Sequence, residues 1–167
     1  DSSNAVGPAA PEVCNGIDDN CQDGEDEGLP DNDGDGICNG QDTEECDGID
    51  NDGDGQGDEG LLCSYYIQGF ELDDGVDISV NGVLLHSYRG LLSSSQPDVH
   101  FDAQPGQSIS VYAYDTYGVC RHIGAIVLVN VASGIGTTLS AGSADLCPTA
   151  GSSSPFFSLN TTIPGIF

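Results

Sequence analysis

The chain is expected to be mainly β: a sandwich of short antiparallel strands preceded by an irregular arm. Three observations lead there. From about residue 63, apolar and polar residues alternate with a period of two in several short runs, as half-buried strands require. Gly and Pro punctuate those runs, and no convincing helical spacing interrupts them. Before residue 63 the texture is different: nineteen of the 28 Asp and Glu fall between residues 12 and 60, with few apolar residues among them. The expected organisation is a leader at 1–11, an acidic arm at 12–62 and a β-sandwich domain at 63–167.

The leader carries Ala, Pro, Ser and Gly without periodicity, and alone it would be flexible. If ordered, it needs something to lie on, such as another copy of the chain.

The arm repeats itself. Glu12-Val13-Cys14-Asn15-Gly16-Ile17-Asp18-Asp19-Asn20 returns as Glu45-Cys46-Asp47-Gly48-Ile49-Asp50-Asn51-Asp52, and both copies close on Asp-Glu-Gly. Between them, Asp31, Asp33 and Asp35 stand at positions 1, 3 and 5 of a loop with Gly36 at 6. That is EF-hand spacing: alternate carboxylates converge on one ion and the Gly permits the tight turn. The Ile37 carbonyl, Asn39 and Asp42 would complete a shell of hard oxygens, whose number and flexibility suit Ca²⁺ better than Mg²⁺. The second copy offers Asp50, Asp52 and Asp54, the Gln56 carbonyl, and Asp58 or Glu59. The first is poorer, with Asp18, Asn20 and Gln22, the Gly24 carbonyl, Asp26 and Glu27. Two or three ions are expected.

The arm cannot fold by burial. Its large apolar residues are Val13, Ile17, Leu29, Ile37 and Ile49. At about 1.5–3 kcal/mol each, they fall far short of the ~1–2 kcal/mol per residue lost on ordering the backbone. Metal and disulfides must supply the difference. The repeat pairs Cys14 with Cys21 and leaves Cys46 to Cys38. Cys120 with Cys147 would staple the sandwich, and Cys63 is then free or bridged between chains.

The run Cys-Asn-Gly-Ile-Asp-Asp-Asn-Cys from Cys14 to Cys21, closing on Asp-Glu-Gly, resembles the Cys- and Asp-rich metal-binding-motif repeats of bacterial secreted surface proteins. The middle loop is similar to a thrombospondin type 3 repeat. The resemblance covers about residues 12–60 and implies extracellular calcium binding. Gly53, where a second Cys would stand, and Gln22 depart from the pattern. The arm lacks His, Met and Trp, which argues against a copper site.

In the sandwich, Val76, Ile78 and Val80 alternate with Asp77 and Ser79, then Asn81-Gly82 precedes Val83, Leu84 and Leu85. This predicts a hairpin with a type I′ turn. Ile109, Val111 and Ala113 mark another half-buried strand, and Ala125 to Val131, apolar on both faces, a central one. Tyr65 to Leu72, Val99 to Phe101, Thr137 to Leu139 and Phe156 to Leu159 are further strands. The stretch Leu72 to Val83, with Pro105 to Ile109, resembles jelly-roll, galactose-binding-like domains, a fold that serves adhesion, carbohydrate binding and scaffolding alike. Asp73 and Asp74 read as a solvated turn or a further ion site.

Composition narrows the function. A formal net charge of −26, with Arg89 and Arg121 the only basic residues, excludes nucleic acid and anionic membranes as partners. Seven Cys point to an oxidising compartment, and no stretch reaches the ~20 apolar residues of a membrane span. The expected location is extracellular or at the cell surface. No enzyme is expected: His86, His100 and His122 lack zinc-site spacing, and no Gly-x-Ser-x-Gly or phosphate loop occurs. Asn160-Thr161-Thr162 is a glycosylation sequon, and the last residues, through Ile166 and Phe167, are apolar enough to need a covering surface. Two readings remain. One is a calcium-stabilised structural subunit that assembles head to tail with other copies of itself. The other is a glycan-binding or adhesion module on a calcium-stiffened stalk, with Tyr65, Tyr66, Tyr88, Tyr112, Tyr114 and Tyr117 as a candidate platform.

Overall fold

A computed structural model describes residues 6–72, 75–90, 94–114, 121–146, 155 and 157–165. Among them are twelve strands and no helix. They are β1 (Cys63–Ile67), β2 (Glu71–Leu72), β3 (Gly75–Val80), β4 (Val83–Arg89), β5 (Ser94–Ser95), β6 (Val99–Ala103), β7 (Ser108–Tyr114), β8 (Arg121–Ile123), β9 (Ile126–Asn130), β10 (Gly136–Ser140), β11 (Ser143–Leu146) and β12 (Phe157–Thr162).

All the pairings are antiparallel, and the strands form two layers. One is the sheet β12-β7-β3-β4. The other runs β10-β9-β1-β6 and then, past a bend, β11-β8-β2-β5 in the same left-to-right order. Its halves are continuous: Gln68 N–H donates to Val127 O, Gln96 N–H to Phe70 O and Gly124 N–H to Glu71 O, at 2.8–2.9 Å. Glycines make the bend possible. A Cβ at Gly142 (φ +85°) would lie 2.5 Å from the Ile123 carbonyl oxygen, and one at Gly69 equally close to that of Gln96. The first and last strands lie in different layers, so the sandwich is wound differently from a regular jelly roll, where they are neighbours.

The alternation in sequence explains the core. Tyr65 and Ile67 of β1, Val76, Ile78 and Val80 of β3, Ile109, Val111 and Ala113 of β7, and Ile126 and Leu128 of β9 are buried between the layers. Their odd-numbered or even-numbered neighbours face out, because successive strand side chains point to opposite faces. The expected central strand is β9, flanked by β10 and β1. Asn81 (φ 47°) and Gly82 (φ 77°) form the turn between β3 and β4, both left-handed as a type I′ turn demands. Beyond the turn, Val83, Leu84 and Leu85 are 62%, 56% and 39% exposed on edge strand β4.

The arm has no strand or helix and packs on one end of the sandwich. Cys46 and Leu61 sit against the core, and Gly57 lies beside Gly165. Residues 55–59 of the arm and Pro105, Gly106 and residues 162–165 of the sandwich line a shared cleft of about 440 Å³.

Candidate metal centre

The middle loop and the second-repeat loop have the same turn geometry nineteen residues apart. In the middle loop, Asp31 Oδ2 accepts the Gly36 N–H (3.1 Å), Asp33 Oδ1 the Asp35 N–H (3.1 Å) and Asp35 Oδ1 the Ile37 N–H (2.7 Å). In the other, Asp50 Oδ2 accepts Gly55 N–H (3.0 Å), Asp52 Oδ1 accepts Asp54 N–H (3.0 Å) and Asp54 Oδ1 accepts Gln56 N–H (2.9 Å). Gly36 and Gly55 stand at φ 96° and 98°, which explains Gly at position 6. Each aspartate spends one oxygen on a backbone amide. The carboxylates of Asp31, Asp33 and Asp35 converge within 4.8 Å of one another, as do those of Asp50, Asp52 and Asp54. Asn51, 1% exposed, joins the two loops: its Nδ2 donates to Asp33 Oδ2 at 3.2 Å.

The two repeats add ligand candidates that sequence reading missed. Glu12, Asp18 and Glu27 form one cluster, and Glu44, Asp52 and Glu59 another, the latter sharing Asp52 with the second-repeat loop. The signal was present as a strict 32-residue register: Glu12, Asp18, Asn20 and Glu27 correspond to Glu44, Asp50, Asp52 and Glu59. Aligning Glu12 with Glu45 hid it. Glu12 accepts the N–H groups of Asp19 and Asn20, and Glu44 those of Asp52 and Asp58, so each glutamate folds across its loop. Asn20 Nδ2 donates to Glu27.

Several oxygens in these clusters are buried without a protein partner: Asn20 Oδ1, Glu27 Oε2, Asp50 Oδ1 and Glu59 Oε2. A buried carboxylate oxygen left without a donor is costly, and an ion is one of the few things that satisfies it. Burial, and then the charges of Glu44, Asp54 and Asp52, raise the Glu59 carboxyl above its usual range. A cation would relieve that crowding. Every donor is a hard oxygen, and the clusters could hold a metal ion of that preference.

Other expected ligands serve different ends. Asp26 accepts the N–H groups of Asn15 (3.0 Å) and Gly16 (2.8 Å), and its counterpart Asp58 accepts that of Gly48 (2.8 Å). Asp58 is fully buried, with Asn130 Nδ2 at 3.5 Å from its other oxygen. Burial, then the charges of Asp47 and Glu44, outweigh the Gly48 hydrogen bond and raise its carboxyl. The Tyr65 phenol nearby is pushed up to about 12 by burial and by the Asp58 charge. Gln22 Nε2 turns to the Pro8 carbonyl, and Asn39 Oδ1 accepts the Asn32 N–H. Asp42 accepts the Thr43 N–H and lies outside the clusters. In the first repeat the sixth position is Asp23, held at φ 60° where the other loops have Gly. That strain adds a reason for this loop to be the poorest.

The bridges differ from expectation. Cys14 pairs with Cys38, not Cys21, and Cys46 pairs with Cys63, not Cys38. Cys21 is exposed and free, so it, and not Cys63, is the unpaired thiol among the described residues. The reason is non-local. Cys21 (φ 61°) turns outward, while the loops stack so that Cys14 meets the middle loop (Cα–Cα 5.9 Å) and Cys46 meets β1 (5.4 Å). Cys120 and Cys147, like Asp73, Asp74, Tyr117, Ile166 and Phe167, lie outside the described residues. The leader lies on its own chain: Gly7 N–H donates to Asp19 O at 2.7 Å. Asn160 is exposed on β12, where it accepts the Tyr112 hydroxyl.

No family model matches the chain, and no curated protein or solved structure is significantly similar to it. Fold and site together define a β-sandwich protein with a disulfide-stapled arm whose acidic clusters could hold metal ions.

Proposed function

We propose that this chain is an extracellular structural protein, a self-assembling subunit whose arm is folded by Ca²⁺. The carrying observation is the set of buried oxygens without partners, which fall in the carboxylate clusters of both repeats. Three ions are expected, one in each loop, with the carbonyls of Gly24, Ile37 and Gln56 as further ligands. The second-repeat loop, where Glu44, Asp50, Asp52, Asp54 and Glu59 gather, is the richest in charge. Calcium is favoured over magnesium because the loops offer many flexible oxygens rather than a strict octahedron. Two disulfides fit a secreted or surface location, and among the described residues no helix is long and apolar enough to cross a membrane.

Self-assembly is supported by the sheet β12-β7-β3-β4. On a chain of net charge −26, residues 78–97 contain no Asp or Glu, nor does β12. Both edges of that sheet are thus free of the repulsion that dominates elsewhere, and β4 adds the exposed Val83, Leu84 and Leu85. Pairing β4 of one copy with β12 of the next would extend the sheet head to tail without closing. A glycan platform has less support. Tyr65 is buried, Tyr88 packs on the core, Tyr114 lies under Arg89 and Tyr112 binds Asn160, which leaves Tyr66 stacked on His100.

Calorimetric titration with Ca²⁺ and Mg²⁺ tests the ion, and electron microscopy tests the assembly. The expected result is three calcium ions bound and filaments that loosen in chelator. Val83→Lys should abolish filaments with calcium stoichiometry unchanged. A monomer in millimolar calcium overturns the assembly.

A further inference from the structure

We propose that Asp58 is a positioning residue that couples the cation of the second-repeat loop to the stability of the β-sandwich. The proposal rests on the calcium reading above. Asp58 joins three partners. Its N–H donates to Glu44 Oε2 at 2.6 Å, and Glu44 belongs to the cluster with Asp52 and Glu59. Its Oδ1 accepts the Gly48 N–H at 2.8 Å, which closes the repeat. Its Oδ2 receives Asn130 Nδ2 at 3.5 Å, from the last residue of the central strand β9.

The orientation of Asn130 is fixed by its other end. Asn130 Oδ1 accepts the N–H groups of Ala132 (2.9 Å) and Ser133 (3.2 Å), so the amide nitrogen has to face Asp58. Both residues are fully buried, so neither can exchange its partner for water. An ion that draws Glu44 and Glu59 together therefore tightens the backbone at Asp58 and seats its carboxylate on β9. Without the ion, repulsion among Glu44, Asp52 and Glu59 pulls on the same backbone. The first repeat supplies an internal control. Asp26 makes the equivalent amide contacts but is only half-buried, and its neighbour is Cys38 of the arm, 3.6 Å from Asp26 Oδ2, not the sandwich.

The test uses the full chain. All tyrosines lie at residue 65 or beyond and there is no Trp, so near-ultraviolet circular dichroism of tyrosine reports melting of the sandwich alone. Calorimetry counts the calcium bound. At free calcium a hundredfold above the dissociation constant, the tyrosine midpoint of the native chain should rise by roughly 5–10 °C. Asn130→Asp keeps the acceptor for Ala132 and Ser133 but sets a carboxylate against Asp58. It should bind as many ions as the native chain and lose more than half of the calcium-induced rise. Asp58→Asn should behave alike, and carries the comparison if Asn130→Asp does not fold. A native-sized rise in Asn130→Asp, or a lost ion in Asp58→Asn with Asn130→Asp unaffected, overturns the proposal. Ions bound to the native chain with no rise in the midpoint overturn the coupling alone. No calcium bound at all overturns the calcium reading, and the coupling with it.

Discussion

The arm and the sandwich solve the same problem with opposite materials. The sandwich buries an alternating set of Ile, Val, Leu and Tyr between two layers, and its backbone polar groups pair along strands. The arm has almost nothing to bury. Val13, Ile17 and Ile37, three of its few large apolar residues, are 41%, 50% and 44% exposed. Its backbone amides are met instead by Asp, Glu and Asn side chains, one carboxylate after another, from Glu12 to Glu44. Each of those hydrogen bonds brings like charges closer. A fold made this way is stable only if something cancels the charge, whereas the sandwich needs no such help. The comparison teaches that hydrogen-bonded turns set the arm's shape, and that its stability has to come from outside the side-chain inventory.

The sharpest way to break the comparison is to remove calcium. In excess chelator the arm should open, with rapid proteolysis between residues 12 and 60, while the sandwich signal persists at a lower melting midpoint. Proteolysis unchanged by chelator would refute the calcium-dependent fold. The mirror experiment attacks the core. Leu128→Ala, at a fully buried position in β9, should cost about 2–5 kcal/mol in urea denaturation of the sandwich. Below the unfolding transition its calcium stoichiometry should equal that of the native chain. If the stoichiometry falls instead, arm and sandwich are one folding unit.

The smallest effect concerns a surface pair on the sandwich. The Arg89 guanidinium donates to Asp77 at 2.6 Å and holds its carboxyl below the usual value of 3.8. A depressed carboxyl stabilises the fold above its unfolded pKa, and the contribution is lost as pH falls through the lower, folded value. Asp77→Asn should therefore cost at most about 1 kcal/mol near neutral pH, since the pair is solvent-screened. The difference between the two chains in urea midpoint should vanish below about pH 3. The arm's carboxylates titrate alike in both chains and cancel from that difference.

Local signals carried well from sequence to structure, and non-local ones did not. Asn81-Gly82 marked its turn because two left-handed residues in a row admit few alternatives. The loop at Asp31, Asp33 and Asp35 was legible because its carboxylates are satisfied by amides two to five residues away. The disulfide partners were not legible. Which cysteines meet depends on how loops stack on one another and on β1, and no local spacing encodes that. Glu12 and Glu44 were missed because each lies outside the loop it serves, six residues before the first aspartate. Asp26 and Asp58 read as ligands from composition, but their oxygens are spent on amides ten or eleven residues back in the chain. The bend in the second layer left only its glycines as a trace.

The cystines have a direction. Cys14 reaches forward to Cys38 in the middle loop, and Cys46, its counterpart 32 residues on, reaches forward to Cys63 at the start of β1. Each repeat is thus fastened to whatever follows it, and nothing in its own contacts requires that neighbour to be a sandwich. Such a unit behaves as a tile with a fixed hook. Gene duplication could lengthen the arm by whole tiles without redesigning either end, and the spacing between this domain and anything upstream would then be measured in copies of the repeat.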